Sequence, residues 1–109
     1  MSKGMSEKQI LVVIKRPGED PVVEPLFDNT LEAFQSEVGG LIETVTIATD
    51  VCLICNEEGR ITGLPYNGKC LWIDFYGTVI AVGVKGDEFA SLKASYVPMI
   101  LRTLGGMRG

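Results

Sequence analysis

The chain reads as an α+β domain: a small, mostly antiparallel sheet of about five to seven strands, with one helix after the second strand and another at the C-terminus. Three observations predict it. Short apolar runs rich in β-branched residues recur, QILVVIK at 9–15, LIETVTI at 41–47, VCLIC at 51–55 and TVIAVGV at 78–84, each too brief for a typical helix and bounded by turn residues. The segment FDNTLEAFQSEVGG sets apolar residues at helical spacing between a capping residue and a glycine stop. SYVPMILRTLGG repeats that arrangement at the end of the chain.

Residues 1–8 are small and polar, with a second Met at position 5 that could be an alternative start; they read as a disordered lead to one domain over 9–109, a length suited to a single core. The run 9–15 is closed by Pro17-Gly18 and reads as a buried strand placed centrally. Val22, Val23 and Leu26 follow between Pro21 and Pro25. Neither proline can donate a ladder hydrogen bond, so this is an edge strand. In the helix, Asn29 is the expected cap, Glu32 completes a capping-box pattern, Leu31, Phe34 and Val38 share one face, and Gly39 ends it. Strands at 41–47 and 51–55 flank a Thr49-Asp50 turn. Asn56-Glu57-Glu58-Gly59 has type I turn residues and predicts a hairpin tip leading into a strand RITG. Gly63 to Gly68 reverses the chain again, with Asn67-Gly68 the strongest turn dipeptide. LWIDFY at 71–76 and TVIAVGV at 78–84 complete the sheet, Gly77 and Gly83 marking a bend or a bulge. In the last helix Ser95 is the expected cap, Pro98 falls in the first turn, Val97, Ile100, Leu101 and Leu104 line one face, and Gly105 stops it.

Composition narrows the chemistry. A net charge of −4, a pI near 4.7 and ten scattered basic residues argue against direct nucleic-acid binding, which needs clustered Lys and Arg. No apolar run approaches the roughly 20 residues that span a bilayer, and the first residues lack a signal-peptide core. The expected location is the cytoplasm. There 46% hydrophobic residues and a mean hydropathy of +0.23 suit either a well-filled core or a self-associating surface, and a homo-oligomer joined through Val97, Ile100, Leu101 and Leu104 is one expectation.

The three cysteines, Cys52, Cys55 and Cys70, suit free thiols in a reducing compartment. Cys52 and Cys55 match C-x-x-C. On a strand, however, side chains three apart point to opposite faces, and four zinc ligands are not to be found in a chain with no histidine. No metal, cofactor or catalytic residue is therefore expected. Without imidazole the usual general base is missing, leaving carboxylate, Tyr, Lys or Cys chemistry; Asp74, Glu57 and Cys70 are the candidates for a small hydrolase. Asp74 is expected on an exposed strand face. Turn chemistry accounts for the glycines, Asn56 and Pro65. It also accounts for Asn67 and leaves Glu57, Glu58, Arg60, Tyr66 and Trp72 unexplained; these five, with Asn67 beside them, are the candidate binding residues: fixed acceptors, a fork donor and amphipathic rings on a loop held by a sheet.

The NTLEAFQ-VGG helix, NEEG and GLP-N, together with GTVIAVG and DEFASL, resemble a family of short phage, plasmid and Gram-positive bacterial proteins known only as a domain of unknown function. The likeness covers roughly residues 9–92. It implies an α+β fold and a mobile-element setting, and no reaction. The end, KASYVPMILRTLGGMRG, departs from the family's polar pattern. Three functions follow as expectations: a phage or mobile-element accessory protein that binds and inhibits a host protein, with host defence as the expected target; a homo-oligomer that sequesters a nucleotide-like signalling molecule; and the small carboxylate- or Cys-dependent hydrolase.

Overall fold

The computed structural model describes residues 8–108; the expected lead over 1–8 lies almost wholly outside the described residues. The fold is α+β. Strands β1 (Gln9–Lys15), β2 (Val22–Asp28), β3 (Ile42–Ala48), β4 (Val51–Asn56), β7 (Val79–Lys85) and β8 (Glu88–Ala90) form an antiparallel sheet in the order β2-β1-β7-β4-β3, with β8 beside the far end of β7. Strands β5 (Tyr66–Cys70) and β6 (Ile73–Tyr76) form a separate two-stranded hairpin. Helix α1 (Leu31–Val38) follows β2, and helix α2 (Val97–Gly105) ends the chain.

The apolar runs belong to the three strands with neighbours on both sides. In β1, β4 and β7 alternate side chains enter two separate cores, which is why these strands are continuously apolar instead of alternating. One core gathers Ile10, Val12, Ile14, Cys52, Ile54, Ile80 and Val82 under Phe34 and Val38 of α1. The other gathers Val13, Val51, Leu53, Cys55, Val79 and Ala81 under Cys70 and Phe75 of the hairpin and Ile100 and Leu104 of α2. Each such aliphatic side chain contributes about 1.5–3 kcal/mol on full burial. The edges differ, as Pro25 foretells: β2 is one end of the sheet and β3 the other.

Both helices start elsewhere than the sequence suggests. Thr30, not Asn29, caps α1, its Oγ1 accepting from the Ala33 amide at 3.1 Å; the Asn29 side chain instead donates to the Phe89 carbonyl at 3.1 Å. The cap therefore faces Ala33, and Glu32 closes no capping box. Leu31, expected on the buried face, is 54% exposed. Gly39 ends the helix in the left-handed conformation, φ 83°, as expected. Ser95 lies within a 3-10 turn, Ala94–Tyr96, that precedes α2, and no side chain caps that helix. Pro98 sits in its first turn, where a missing N–H costs little.

Helix α2 turns its apolar face inward. Ile100 and Leu104, expected at an oligomer interface, are buried in the chain's own core, and Val97 and Leu101 pack half-buried against it.

Cys52 and Cys55 fall in opposite cores, as strand geometry requires, and all three thiols are free and buried. A thiol-reactive aromatic disulfide is expected to modify none of them in the native protein and all three in denaturant. Rapid native labelling would contradict that placement.

Candidate functional site

The polar stretch after β4 and the hairpin β5–β6 meet along one side of the sheet. Asn56 organises the first. Its Oδ1 accepts from the Glu58 amide at 2.7 Å, an Asx turn, and its Nδ2 donates to the Val38 carbonyl at 3.1 Å. The chain then winds through successive turns: the amide of Thr62 donates to the Glu58 carbonyl and that of Leu64 to Gly59, both at 2.9 Å. RITG is thus not a strand, and Asn56 to Gly59 is not a hairpin tip, because β4 already has β3 and β7 as partners. A third ladder has nowhere to form. Ile61 is left 85% exposed.

The second reversal also differs. Asn67-Gly68 lies inside β5, and the register with β6 slips between Tyr66 and Gly68, so Asn67 is the extra residue of a bulge. The bulge aims its side chain inward. Asn67 is 0% exposed; its Nδ2 donates to the carbonyls of Lys15 and Gly77, both at 2.8 Å, and its Oδ1 accepts from Lys15 Nζ at 2.9 Å. It is a clasp between hairpin and sheet and cannot serve as a binding residue. Lys15 is itself only 3% exposed, its Nζ also donating to the Arg16 carbonyl at 3.1 Å. Burial pulls this ammonium below its ordinary pKa; Asp20 and Glu19 act against that, and Arg108 acts with it.

The true reversal is at Leu71-Trp72. Cys70 pairs with Ile73, leaving a two-residue turn whose members both have positive φ, 53° and 69°. Such turns normally carry Asn and Gly, since a side chain in this region costs about 1–2 kcal/mol per residue. Here they carry two large apolar residues. Trp72 is 92% exposed.

Between the turns and the hairpin runs a cleft of about 230 Å³, lined by Glu43 and Val45 of β3, Cys55 and Asn56 of β4, Glu57, Gly59 and Arg60 of the turns, and Ile73, Asp74, Phe75 and Tyr76 of β6. Asp74 is exposed, as expected, and it accepts from the Tyr66 hydroxyl at 2.7 Å and from Lys69 Nζ at 3.0 Å. These bonds, Tyr66 first, hold its carboxyl below the usual range, with the Arg60 charge assisting. The same bond pushes the Tyr66 hydroxyl up. Glu57, Glu58 and Arg60 are exposed and enter no ion pair among the described residues. Cys55, the thiol that lines the cleft, is pushed up to about 11 by burial, with Glu43 adding to it; at neutral pH it is a protonated thiol and a poor nucleophile. A wider groove of about 420 Å³ lies at the other end of β4, where Lys93 and Tyr96 both bind Asp50, at 3.0 and 3.1 Å.

A family model described as a domain of unknown function (DUF3846) matches residues 9–104. The chain belongs to that family. No curated protein and no solved structure matches it. The match runs through residue 104 and so extends past the expected limit at 92 to take in nearly all of α2. Within this DUF3846 domain the structure gathers four of the six candidate residues about one cleft: Glu57 and Arg60 line it, Tyr66 bonds Asp74 on its wall, and Trp72 adjoins Ile73 at its rim. Glu58 is exposed on the turn beside it. Sequence reasoning missed Ile61 and Leu71, whose exposure depends on turns that their residue types do not announce, and Lys15, whose amine the apolar strand carries inside. Among the described residues no three metal-ligating side chains cluster, and no helix is long and apolar enough to cross a membrane.

Proposed function

We propose that this DUF3846 domain acts by binding another protein, with the rim formed by the 57–64 turns and the Leu71-Trp72 hairpin tip as the contact surface. The observation that carries the reading is the tip itself. A chain that holds leucine and tryptophan in a conformation built for Asn-Gly, and points the indole at solvent, gives up stability for a side chain that the isolated domain does not use. Tryptophan, flanked by exposed Leu71 and Ile73, with Arg60 and Glu57 lining the cleft that Ile73 also lines, is the composition of an interface centre within a polar rim. The phage and plasmid setting implied by the sequence resemblance makes a bacterial cytoplasmic protein, such as a defence component, the partner class to test first. The cleft is small beside the roughly 300–1,000 Å³ of typical ligand pockets, and its carboxylates Glu43, Glu57 and Asp74 would repel a nucleotide-like anion. Sequestration and hydrolysis therefore rank behind protein binding.

The double variant Leu71→Asn/Trp72→Gly tests this on two readouts. Its unfolding free energy is expected to rise by about 1–2 kcal/mol as the strain is released, while photo-crosslinking to a host protein, strong from a probe at exposed Ile73 and absent from one at exposed Met99 on α2, is lost. Equal crosslinking from both positions, or a partner retained by the double variant, sinks the reading. Trp72 is the sole tryptophan, so its emission reports directly: water-like in the free protein, blue-shifted in the complex.

A further inference from the structure

We infer that the β3 edge joins two copies of the chain, β3 pairing antiparallel with β3 of the second copy about a two-fold axis at Val45 to make one continuous sheet. This goes beyond the hairpin-tip reading and does not depend on it.

The two ends of the sheet are treated differently. At one end β2 carries Pro25, which has no N–H to offer, and its register with β1 is broken by an irregularity between Ile10 and Val12. Those are devices that discourage strand addition. At the other end β3 reads Ile-Glu-Thr-Val-Thr-Ile-Ala, with no proline, no lysine and β-branched residues throughout its middle. Among the described residues it pairs only with β4. Its one charge is Glu43, and although its register with β4 also shifts, between Thr46 and Ala48, the pairing is regular from Ile42 to Thr46, the stretch that is offered to a new strand.

Its hydrogen-bond phase closes on itself. The Glu57 amide donates to the Leu41 carbonyl at 2.8 Å, so in the register Glu43↔Cys55, Val45↔Leu53 the odd residues turn their amides and carbonyls towards β4. In an antiparallel pair the groups alternate, and those of Thr44 and Thr46 therefore point outwards. With the axis at Val45, Thr44 of each copy exchanges both backbone bonds with Thr46 of the other. Val45 meets Val45 as a closely spaced non-hydrogen-bonded pair, and Glu43 faces Ile47. No like charges stand opposite. Placing the axis at Glu43 would set two carboxylates against each other, which is unfavourable, so charge favours the Val45 axis over that one. Threonine pairs and a valine pair are good cross-strand partners, and a surface that matches itself fits a second copy better than an unrelated strand. Glu43 and Val45 also line the 230 Å³ cleft, so the pairing sets the two clefts of a dimer side by side.

Sedimentation equilibrium of the full chain is expected to show a concentration-dependent rise in mass from 11.8 kDa towards twice that value. Thr44→Pro removes an outward N–H that β4 does not use, so it should remain folded by circular dichroism and sediment as the monomer. Should it misfold, Thr44→Lys/Thr46→Lys sets lysine against lysine twice across the axis and gives the same loss of dimer. The register is read from mild oxidation: Val45→Cys forms a disulfide-linked dimer in high yield, and Glu43→Cys does not. A wild-type chain that stays monomeric at every concentration, a folded Thr44→Pro or double-lysine variant that still dimerises, or equal crosslinking at positions 43 and 45 overturns the proposal.

Discussion

Replacing Asn67 by alanine is expected to lower the unfolding free energy by about 3 kcal/mol, the largest effect of any single polar substitution in the chain. The change removes three hydrogen bonds at once, those to the carbonyls of Lys15 and Gly77 and from Lys15 Nζ. It also leaves a buried ammonium with the Arg16 carbonyl as its remaining protein acceptor. Asn67→Asp is expected to be nearly as damaging: an aspartate oxygen can accept from Lys15 but would confront two carbonyl oxygens where an amide donated. The double variant Lys15→Met/Asn67→Leu should regain part of the loss, because an apolar pair of similar shape strands no charge. Urea denaturation of the three variants checks the set. A cost below about 1 kcal/mol for Asn67→Ala would mean that water enters the clasp and that the hairpin is held by Cys70 and Phe75 alone.

Alkaline pH is expected to erode the protein's stability over the range in which free thiols ionise. Burial pushes the thiols of Cys52 and Cys55 from 9.0 to about 11, and that of Cys70 is also raised. The folded chain therefore keeps these protons where the unfolded chain releases them. Stability from the shift is fully present below pH 9 and is lost as pH climbs from there through about 11. At about 1.36 kcal/mol per unit, Cys52 and Cys55 each contribute on the order of 2–3 kcal/mol to the decline. Lys15 works the other way: its lowered pKa means that the unfolded state binds the extra proton, so its penalty eases as pH rises towards 10.5. One amine opposes three thiols, and the net slope is downward. Urea midpoints between about pH 8.5 and pH 11 measure it, and Cys52→Ala/Cys55→Ala should flatten that slope even though it lowers the starting value. An unchanged slope would place the transition elsewhere.

The architecture was legible because β1, β4 and β7 are apolar on both faces and the helices carry helical spacing that strands do not. The C-x-x-C pair resolved into inert thiols on geometry alone. What stayed hidden was turn identity. Asn67-Gly68 has the composition of a tight turn, yet the carboxamide is worth more inside, where it satisfies a buried lysine, than at a tip where water would satisfy it. Leu71-Trp72 has no turn composition at all, and only the pairing of Cys70 with Ile73 reveals it. The turns at 57–64 replaced the expected strand RITG because β4 had both edges occupied, a fact of sheet order that local residues do not encode. Glu57, Arg60, Tyr66 and Trp72 are legible in the sequence only as candidates, through their chemistry. Their grouping about one cleft needed the hairpin to be docked.

Sheet order also governs how the molecule is made. Strand β1 lies between β2 and β7, and β7 leaves the ribosome only after β2, α1, β3, β4 and the β5–β6 hairpin. Until Val79–Lys85 emerges, the run QILVVIK has only one neighbour, and the cores it feeds stay open to water. A growing chain must therefore wait, its apolar strands uncovered, before it can close, and chaperones that guard such segments will meet it during that interval.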